Sequence, residues 1–353
     1  MIECIFTIDY EIYGNGQGSL QELVYEPARR LMDIFQRADA RFVAFVEAAE
    51  LEMIDSNGTE AAIEMVKEQV WQLRREVFEI GLHLHPQWYN ARRENGTWVL
   101  DDSEYNLCTL KRERIEWMVR KGIGYLRGIL KEPGFTPLSF RAGNWLLQPS
   151  HTATAVLAEQ GIRLDSSVFK GGLQRGRGLD YRPALKNGYY WTFQHDVNAE
   201  EPEGRLLEIP IHTRLVPCWR MITPKRLALQ RKGKVLARKS APPSLRQRAS
   251  RICDLLRFRY PLKFDFCRMT LEELQASIKD MIREDQKSPA LLKPLVAIGH
   301  TKDLHEFETV ARFLSYLKDQ EIKVSTFEEV FGRCRGAEVR PEIQARNQYA
   351  GQC

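Results

Sequence analysis

Along this chain a short apolar, β-branched run is repeatedly followed by an amphipathic stretch with a 3.6-residue period, the pattern of βα units around parallel strands. Strands are expected over residues 2–9, 41–46, 78–85, 137–141, 161–166, 206–211, 295–300 and 322–325, which makes about seven units. Within 60–77, Ala61, Met65, Val70 and Leu73 fall near one stripe, and that face is expected to pack on the sheet. Thr270 and Glu273 read as a capping box opening a helix that carries Leu274, Ile278 and Ile282. Gly161, after AVLAEQ, reads as a helix stop. The pattern predicts an α/β fold, and active sites of parallel α/β barrels sit at the C-terminal ends of the strands.

One region departs from it. Between 220 and 263 there are fourteen Lys or Arg residues and a single acid, Asp254, in a chain whose net charge is only +5. Pro242-Pro243 divides this stretch into two expected helices, with Leu227, Leu229, Leu236, Ile252, Leu255 and Phe258 among the charges. It reads as an inserted basic helical lobe, either a solvated decoration or a surface for an anionic partner. Residues 336–353 are polar and expected to form a flexible tail, which leaves 1–335 for the main domain.

Composition adds limits. With 43% hydrophobic and 28% charged residues in 353, the chain belongs with soluble globular proteins and not with disordered ones. No stretch approaches the roughly 18 apolar residues of a membrane span. The first residues, MIECIFTIDYEIYG, read as a strand and not as a secretion leader, and the seven cysteines form no CxxC pair. A cytoplasmic location with free thiols is expected.

Five strand ends carry chemistry. Asp9 and Glu11 flank Tyr10, and residues two apart in a strand share a face, so two carboxylates project into one site if the strand reaches Glu11. A cation between them is the simplest way to relieve their repulsion. His83 and His85 alternate with Leu84 in EIGLHLHP in the same way. Two imidazoles and a carboxylate make a plausible facial metal site with open positions for water and substrate. The other three ends are Arg141 in FRAGNW, Asp165 in LDSSV and His300 in IGHTK. Taken singly, each has an ordinary structural explanation; together they occupy the position where barrel enzymes keep their active sites.

In this order, FTIDYE, EIGLHLHP, FRAGNW, LDSSV and IGHTK resemble the five motifs of the NodB-homology polysaccharide deacetylases, carbohydrate esterase family four, over about residues 1 to 335. The arrangement is similar to a branch associated with lipopolysaccharide or other surface-glycan biosynthesis. The sequence departs from the family pattern at three places. Tyr10 stands where a second aspartate is usual, Gln87 stands where the second histidine is usual, and Ala142, Gly143 and Asn144 replace a proline–aromatic pair.

The resemblance implies a distorted (β/α)7-type parallel barrel and a divalent metal, zinc in the usual case, held by Glu11, His83 and His85. It implies Asp9 as the base, kept ionised by Arg141, and His300 acting from the opposite side as the acid. Asp165 would be the partner of His300 or another hydrogen bond in the site, and the roles of Asp9 and Glu11 can be exchanged. Asn144, Trp145 and Trp88, on the motif loops, are the expected substrate contacts, with Tyr13, Tyr89 and Trp191 as further aromatics that could stack on sugar rings. The implied activity is removal of an N-acyl group, acetyl or formyl, from an amino sugar that is free, polymeric, nucleotide-linked or lipid-linked.

Two other readings compete. A binding protein would use the basic lobe on nucleic acid or on an anionic membrane, but no nucleic-acid motif is present and the five strand-end clusters would go unexplained. A barrel glycosidase would use Asp9 and Asp165 as its acid and nucleophile, leaving His83 and His85 idle.

Overall fold

The computed structural model describes residues 1–14, 16–221, 223–227 and 258–336. Most of the basic stretch expected as helices, and residues 337–353 of the expected tail, lie outside the described residues. Five cysteines among the described residues are free thiols, and no described helix is long and apolar enough to cross a membrane.

Nine strands form the main sheet: β1 (Ile2–Tyr10), β2 (Val43–Glu47), β3 (Glu79–Leu84), β4 (Ser139–Ala142), β5 (Leu164–Asp165), β6 (Trp191–Phe193), β7 (Leu206–Glu208), β8 (Lys293–His300) and β9 (Lys323–Val324). Their order is β6-β7-β5-β4-β3-β2-β1-β8, and all pairings are parallel except that of β6. β9 joins the first part of β1, Glu3 opposite Lys323, ahead of the point where β2 joins it at Thr7. A parallel bridge from Ile211, just past β7, to Val296 of β8 brings the two ends of the sheet together. The result is the expected distorted parallel barrel. All eight strands expected from the sequence are present, and β6 is an antiparallel edge strand the sequence pattern did not announce.

Helices α1 (Glu26–Arg37), α2 (Ala48–Ser56), α3 (Ile63–Arg75), α4 (Arg112–Leu130), α5 (Ser150–Glu159), α6 (Leu271–Asp285), α7 (Phe307–Asp319) and α8 (Phe327–Arg335) alternate with the strands. The β1 side chains split by period two. Phe6 meets Phe35 of α1 and Phe313 of α7, while Thr7 and Asp9 point into the barrel toward Arg141. Burial on both faces is why β1 and β8 read as nearly continuous apolar runs.

Local signals held where the chemistry is local. Thr270 and Glu273 form the capping box of α6, and Gly161 follows α5 with φ +90°. The α3 stripe differs from expectation: Ile63, Val66, Val70 and Leu73 are buried, whereas Ala61 precedes the helix and Met65 is exposed. At 100° per residue Ile63, Val66, Val70 and Leu73 cluster on one side, and Met65 lies well round the helix from them.

Glu79, at the start of β3, accepts hydrogen bonds from Ser139 Oγ (2.8 Å) and from Glu328 N (2.9 Å) at the first turn of α8. It therefore fixes the strand that carries the histidines to its neighbours. Burial is the largest influence on its carboxyl and lifts it from 4.5 to about 7. The folded protein keeps a proton there that the unfolded chain has released, so this group's contribution to stability is lost as pH rises from about 4.5 to about 7. Glu79→Gln removes the charge, keeps the Glu328 N–H bond through its amide oxygen, and meets Ser139 with its NH2 donating to the hydroxyl oxygen. It should flatten that slope and add on the order of 2–3 kcal/mol of stability near pH 8, measured by urea unfolding at about pH 5 and about pH 8.

Candidate active site

β1, β3, β4 and β8 deliver their last residues to one end of the barrel. Asp9 faces the interior and Tyr10 the opposite side, where its hydroxyl bonds to Gln69 of α3. β1 ends at Tyr10, yet Glu11 still turns into the site, its backbone held by the Thr301 hydroxyl at 3.2–3.4 Å. His83 and His85 come from β3 and the residue after it, 2% and 5% exposed, with rings 4.9 Å apart. Glu11 Oε2 lies 3.5 Å from His83 Nε2 and 2.9 Å from His85 Nε2. The three residues expected as a ligand set therefore converge.

Their donor atoms fit a divalent ion. Bonds of about 2.0–2.1 Å in a tetrahedral arrangement place neighbouring donors about 3.4 Å apart, close to the separations found here. The His83 Nδ1–H donates to the Arg141 carbonyl at 2.8 Å, which leaves Nε2 as the atom turned toward Glu11 and able to hold an ion once it gives up its proton. At His85, Nδ1 faces the amides of Gln87 (3.4 Å) and Asn144 (3.2 Å), while the buried Gln87 Oε1 has no partner. Turning the Gln87 and Asn144 amides over, a change of atom identity and not of shape, lets their oxygens accept from Nδ1–H and leaves Nε2 as the atom turned toward Glu11.

Asp9 sits beside this group. Its Oδ1 receives a 2.6 Å bond from Arg141 Nη1, and its Oδ2 is 3.4 Å from His300 Nε2. Arg141 is fully buried and also donates to Thr7 Oγ1 (3.0 Å) and to the Ser166 carbonyl (2.9 Å), with its guanidinium over the Phe45 ring. Burial pushes the Asp9 carboxyl up, but Arg141 and the imidazoles outweigh it and hold the group below its ordinary value. Glu11 is held well below its own, burial being overcome by Lys302 and the two histidines. Burial lowers His83, and the surrounding carboxylates, Asp9 foremost, reverse that and lift it to about 9. Burial lowers His85 and His300.

Several expected residues lie elsewhere. Asp165 does not reach His300; it accepts from Ser167 N and Ser167 Oγ, both at 2.8 Å, and is fully buried behind Arg141. The acid nearest His300 Nδ1 is Asp303, 3.9 Å away and itself bonded to Arg268. His300 lies alongside Asp9 and not across the site from it. Trp88 is fully buried and packs on Trp98, and Trp191 is equally enclosed, so both are core. Trp145 is half-buried at the mouth, its ring 6.0 Å from His300 with Lys263 Nζ 3.0 Å above it. Asn144 holds His85. Both Asn144 (φ 54°) and Trp145 (φ 61°) are left-handed, a costly backbone for side-chain residues. Gly143 allows this loop to lie on β3: a Cβ there would stand 2.6 Å from the Leu84 carbonyl oxygen and 2.9 Å from the His85 ring.

Sequence reasoning missed three groups. Lys302 Nζ bonds Glu11 Oε1 at 2.7 Å. Glu47, ending β2, accepts from His85 N (2.7 Å) and Glu50 N (2.8 Å), and Glu50 accepts from Ile12 N (2.8 Å). Burial raises both acids, Glu47 to about 8. Lys302 lies inside the fifth motif, and Glu47 is an acid closing an apolar strand, the same signal that singled out Asp9.

No family model matches the chain, and no curated protein sequence does. Solved structures do. A candidate polysaccharide deacetylase from Mycobacterium smegmatis superposes with a TM-score of 0.54 at 14% identity, covering 96% of this chain and 92% of its own. The chain shares the fold of that deacetylase. The PuuE allantoinase gives 0.50 at 12% identity over 96% and 91% of the two chains. A GH57 branching enzyme from Thermococcus kodakaraensis gives 0.53 at 9% identity over 96% of this chain and 72% of its own. One barrel thus serves proteins of three names, and the residues at the strand ends must decide among chemistries.

Because Arg141 and His300 are the ion-pair partners of Asp9 among the described residues, removing Arg141 strands a buried charge. Arg141→Met should cost about 3–5 kcal/mol in urea unfolding near neutral pH. A loss below about 1 kcal/mol would show that Asp9 does not depend on this pair.

Proposed function

We propose that this protein is a metal-dependent hydrolase that removes an N-acyl group, acetyl in the simplest case, from an amino sugar of a surface glycan or its precursor. The lipopolysaccharide assignment suggested by the motif arrangement is one case of that substrate class. The observation that carries the reading is the convergence of Glu11, His83 and His85 beside the Asp9–Arg141 pair and His300.

Two imidazoles and one carboxylate suit zinc. When bound, a divalent ion supplies a Lewis acid that eases ionisation of a water and steadies negative charge on the acyl oxygen. Asp9, held ionised by Arg141, takes a proton from the attacking water as its oxygen bonds to the acyl carbon. The C–N bond then breaks, the nitrogen takes a proton from His300, and the products are the free amine and the carboxylic acid, which releases its remaining proton to solvent as it leaves. The 3.4 Å gap between Asp9 Oδ2 and His300 Nε2 gives the proton a short path from base to acid. Trp145 at the mouth is the aromatic surface available to a sugar ring.

The glycosidase reading is weaker. It needs a carboxylic acid able to donate, whereas Asp9 and Glu11 are both held ionised by neighbouring cations and Asp165 is enclosed.

The test is metal content and acetate release from acetylated amino sugars, with and without chelator. Chelator should abolish release. Asp9→Asn should keep the metal and lose about 10²–10⁴-fold in rate, whereas His83→Ala should lose both metal and activity. Metal loss in Asp9→Asn would exchange the roles of Asp9 and Glu11, and a metal-free wild-type protein that still released acetate would overturn the reading.

A further inference from the structure

After the Ile211 bridge the chain leaves the barrel as one strand of an antiparallel ribbon, Thr213–Pro217, and returns as the other, Arg259–Lys263. Lys263 closes the returning strand opposite Thr213, and the residues after it are tied to the barrel. The Phe264 N–H donates to the His212 carbonyl at 2.8 Å, and Asp265 bridges to Ile298 of β8, the strand that ends in His300. From this anchored position Lys263 Nζ lies 3.0 Å above the Trp145 ring and 4.9 Å from the Phe169 ring, while Trp145 stands 6.0 Å from His300. The lysine is therefore part of the wall of the site mouth.

What this lysine lacks is an oxygen. Lys302 has Glu11 at 2.7 Å, Lys293 has Asp285 at 2.6 Å, Arg141 has Asp9 and Arg268 has Asp303, both at 2.6 Å, and Lys170 has the Gly188 carbonyl at 2.6 Å. Among the described residues no oxygen bonds to Lys263 Nζ, and its contacts there are the two rings. The neighbouring acids are occupied: Asp265 accepts from Cys267 N (3.0 Å) and Arg268 N (3.1 Å), and Asp303 from Arg268. A ring face attracts an ammonium from one side only, and an ammonium has three N–H groups to place. Burial presses the pKa of Lys263 down to about 7, as expected of a charge short of compensation. The ring beneath it is firmly held. Trp145 is left-handed, and its carbonyl accepts from the Tyr181 hydroxyl at 2.5 Å. Such a backbone persists where its surroundings over-determine it, and here it keeps the indole under the ammonium. One face of Trp145 thus carries a charge, and this wall presents a ligand with a cation whose remaining donors have no acceptor.

We infer that Lys263 receives an acidic group, a carboxylate or a phosphate, carried by the substrate itself, so that the site selects anionic amino sugars over neutral ones. The ammonium keeps one side on the Trp145 ring and turns its other N–H groups to the acidic oxygens, and the ligand supplies the counter-charge that the fold omits. The acidic group then lies on the His300 side of the mouth. The inference rests on the amino-sugar reading of the site for the body of the ligand; the charge on that ligand is what Lys263 adds.

The experiment compares N-acetylglucosamine with two acidic relatives, N-acetylmuramic acid and N-acetylglucosamine 1-phosphate. Acetate release is measured with the metal-loaded full chain, and binding of the intact sugars by calorimetry with its Asp9→Asn variant. At least one acidic sugar should be favoured over the neutral one by about ten- to a hundredfold, in kcat/KM and in affinity. The carboxylate and phosphate arms identify which acidic group is taken. Lys263→Met, in either background, keeps an unbranched stem on the Trp145 ring and should bring the acidic-to-neutral ratio close to one. Its thermal midpoint should hold or rise, because an uncompensated charge has been removed, so a lost ratio with an intact midpoint is not unfolding. Equal handling of acidic and neutral sugars by the unmodified chain overturns the inference and leaves the deacetylase reading standing. A Lys263→Met variant that keeps the preference overturns it as well. Preferential binding of an acidic sugar, lost in Lys263→Met, by a protein that releases no acetate supports the inference and refutes only deacetylation.

Discussion

Four carboxylates crowd the mouth of this barrel, and their mutual repulsion is the constraint around which the rest is arranged. Asp9, Glu11, Glu47 and Glu50 are all buried, so water cannot screen them, and each is answered differently. Asp9 has a guanidinium and Glu11 a lysine and two imidazoles. Glu47 and Glu50 have only backbone N–H groups and are pushed toward the protonated form. The outcome is a division: the carboxylates beside cations are held toward the ionised form, and those met by backbone N–H groups are pushed toward the protonated one. A buried cation placed at the front is welcome for the same reason that Lys302 is there.

Much of this was legible because it depends on strand periodicity. A period of two put Asp9 and Glu11 on one face with Tyr10 on the other, and did the same for His83 and His85. Burial on both faces made β1 and β8 easy to see. What could not be read was direction off the strand. Trp88 follows the histidines closely in sequence, but Pro86 turns the chain into a short 3-10 helix that sends its ring into the core. Asp165 ends its strand like the others, yet it is spent on Ser167. Lys302 lies on such a turn as well, and only the fold shows that it returns to Glu11. β6 reads Trp-Thr-Phe and lacks the aliphatic run that marks 206–211 in the sequence.

The comparisons make the same division. A deacetylase, an allantoinase and a branching enzyme share this barrel at identities of 9–14%. The packing that makes the scaffold therefore tolerates nearly complete replacement of sequence. Against that background, the Glu11–His83–His85 group and the Asp9–Arg141 pair are the informative part of the chain. Arg141 links the two: its side chain fixes Asp9, and its carbonyl fixes the tautomer of His83. A single residue on β4 thus orients both halves of the site.

The bridge from Ile211 to Val296 is a seam. Elsewhere neighbouring strands share ladders, but here the ring closes through one bridge, the His212 N–H to the Val296 carbonyl, and the strip from Phe264 to Phe266 laid alongside β8. A zip with few teeth can be parted and re-sewn with extra cloth, whereas a full ladder cannot. The ribbon and the long basic segment enter the chain at this place. New length there leaves every other strand pairing intact, so the seam is where such a barrel can acquire an appendage without renegotiating the end that carries the Asp9–Arg141 pair.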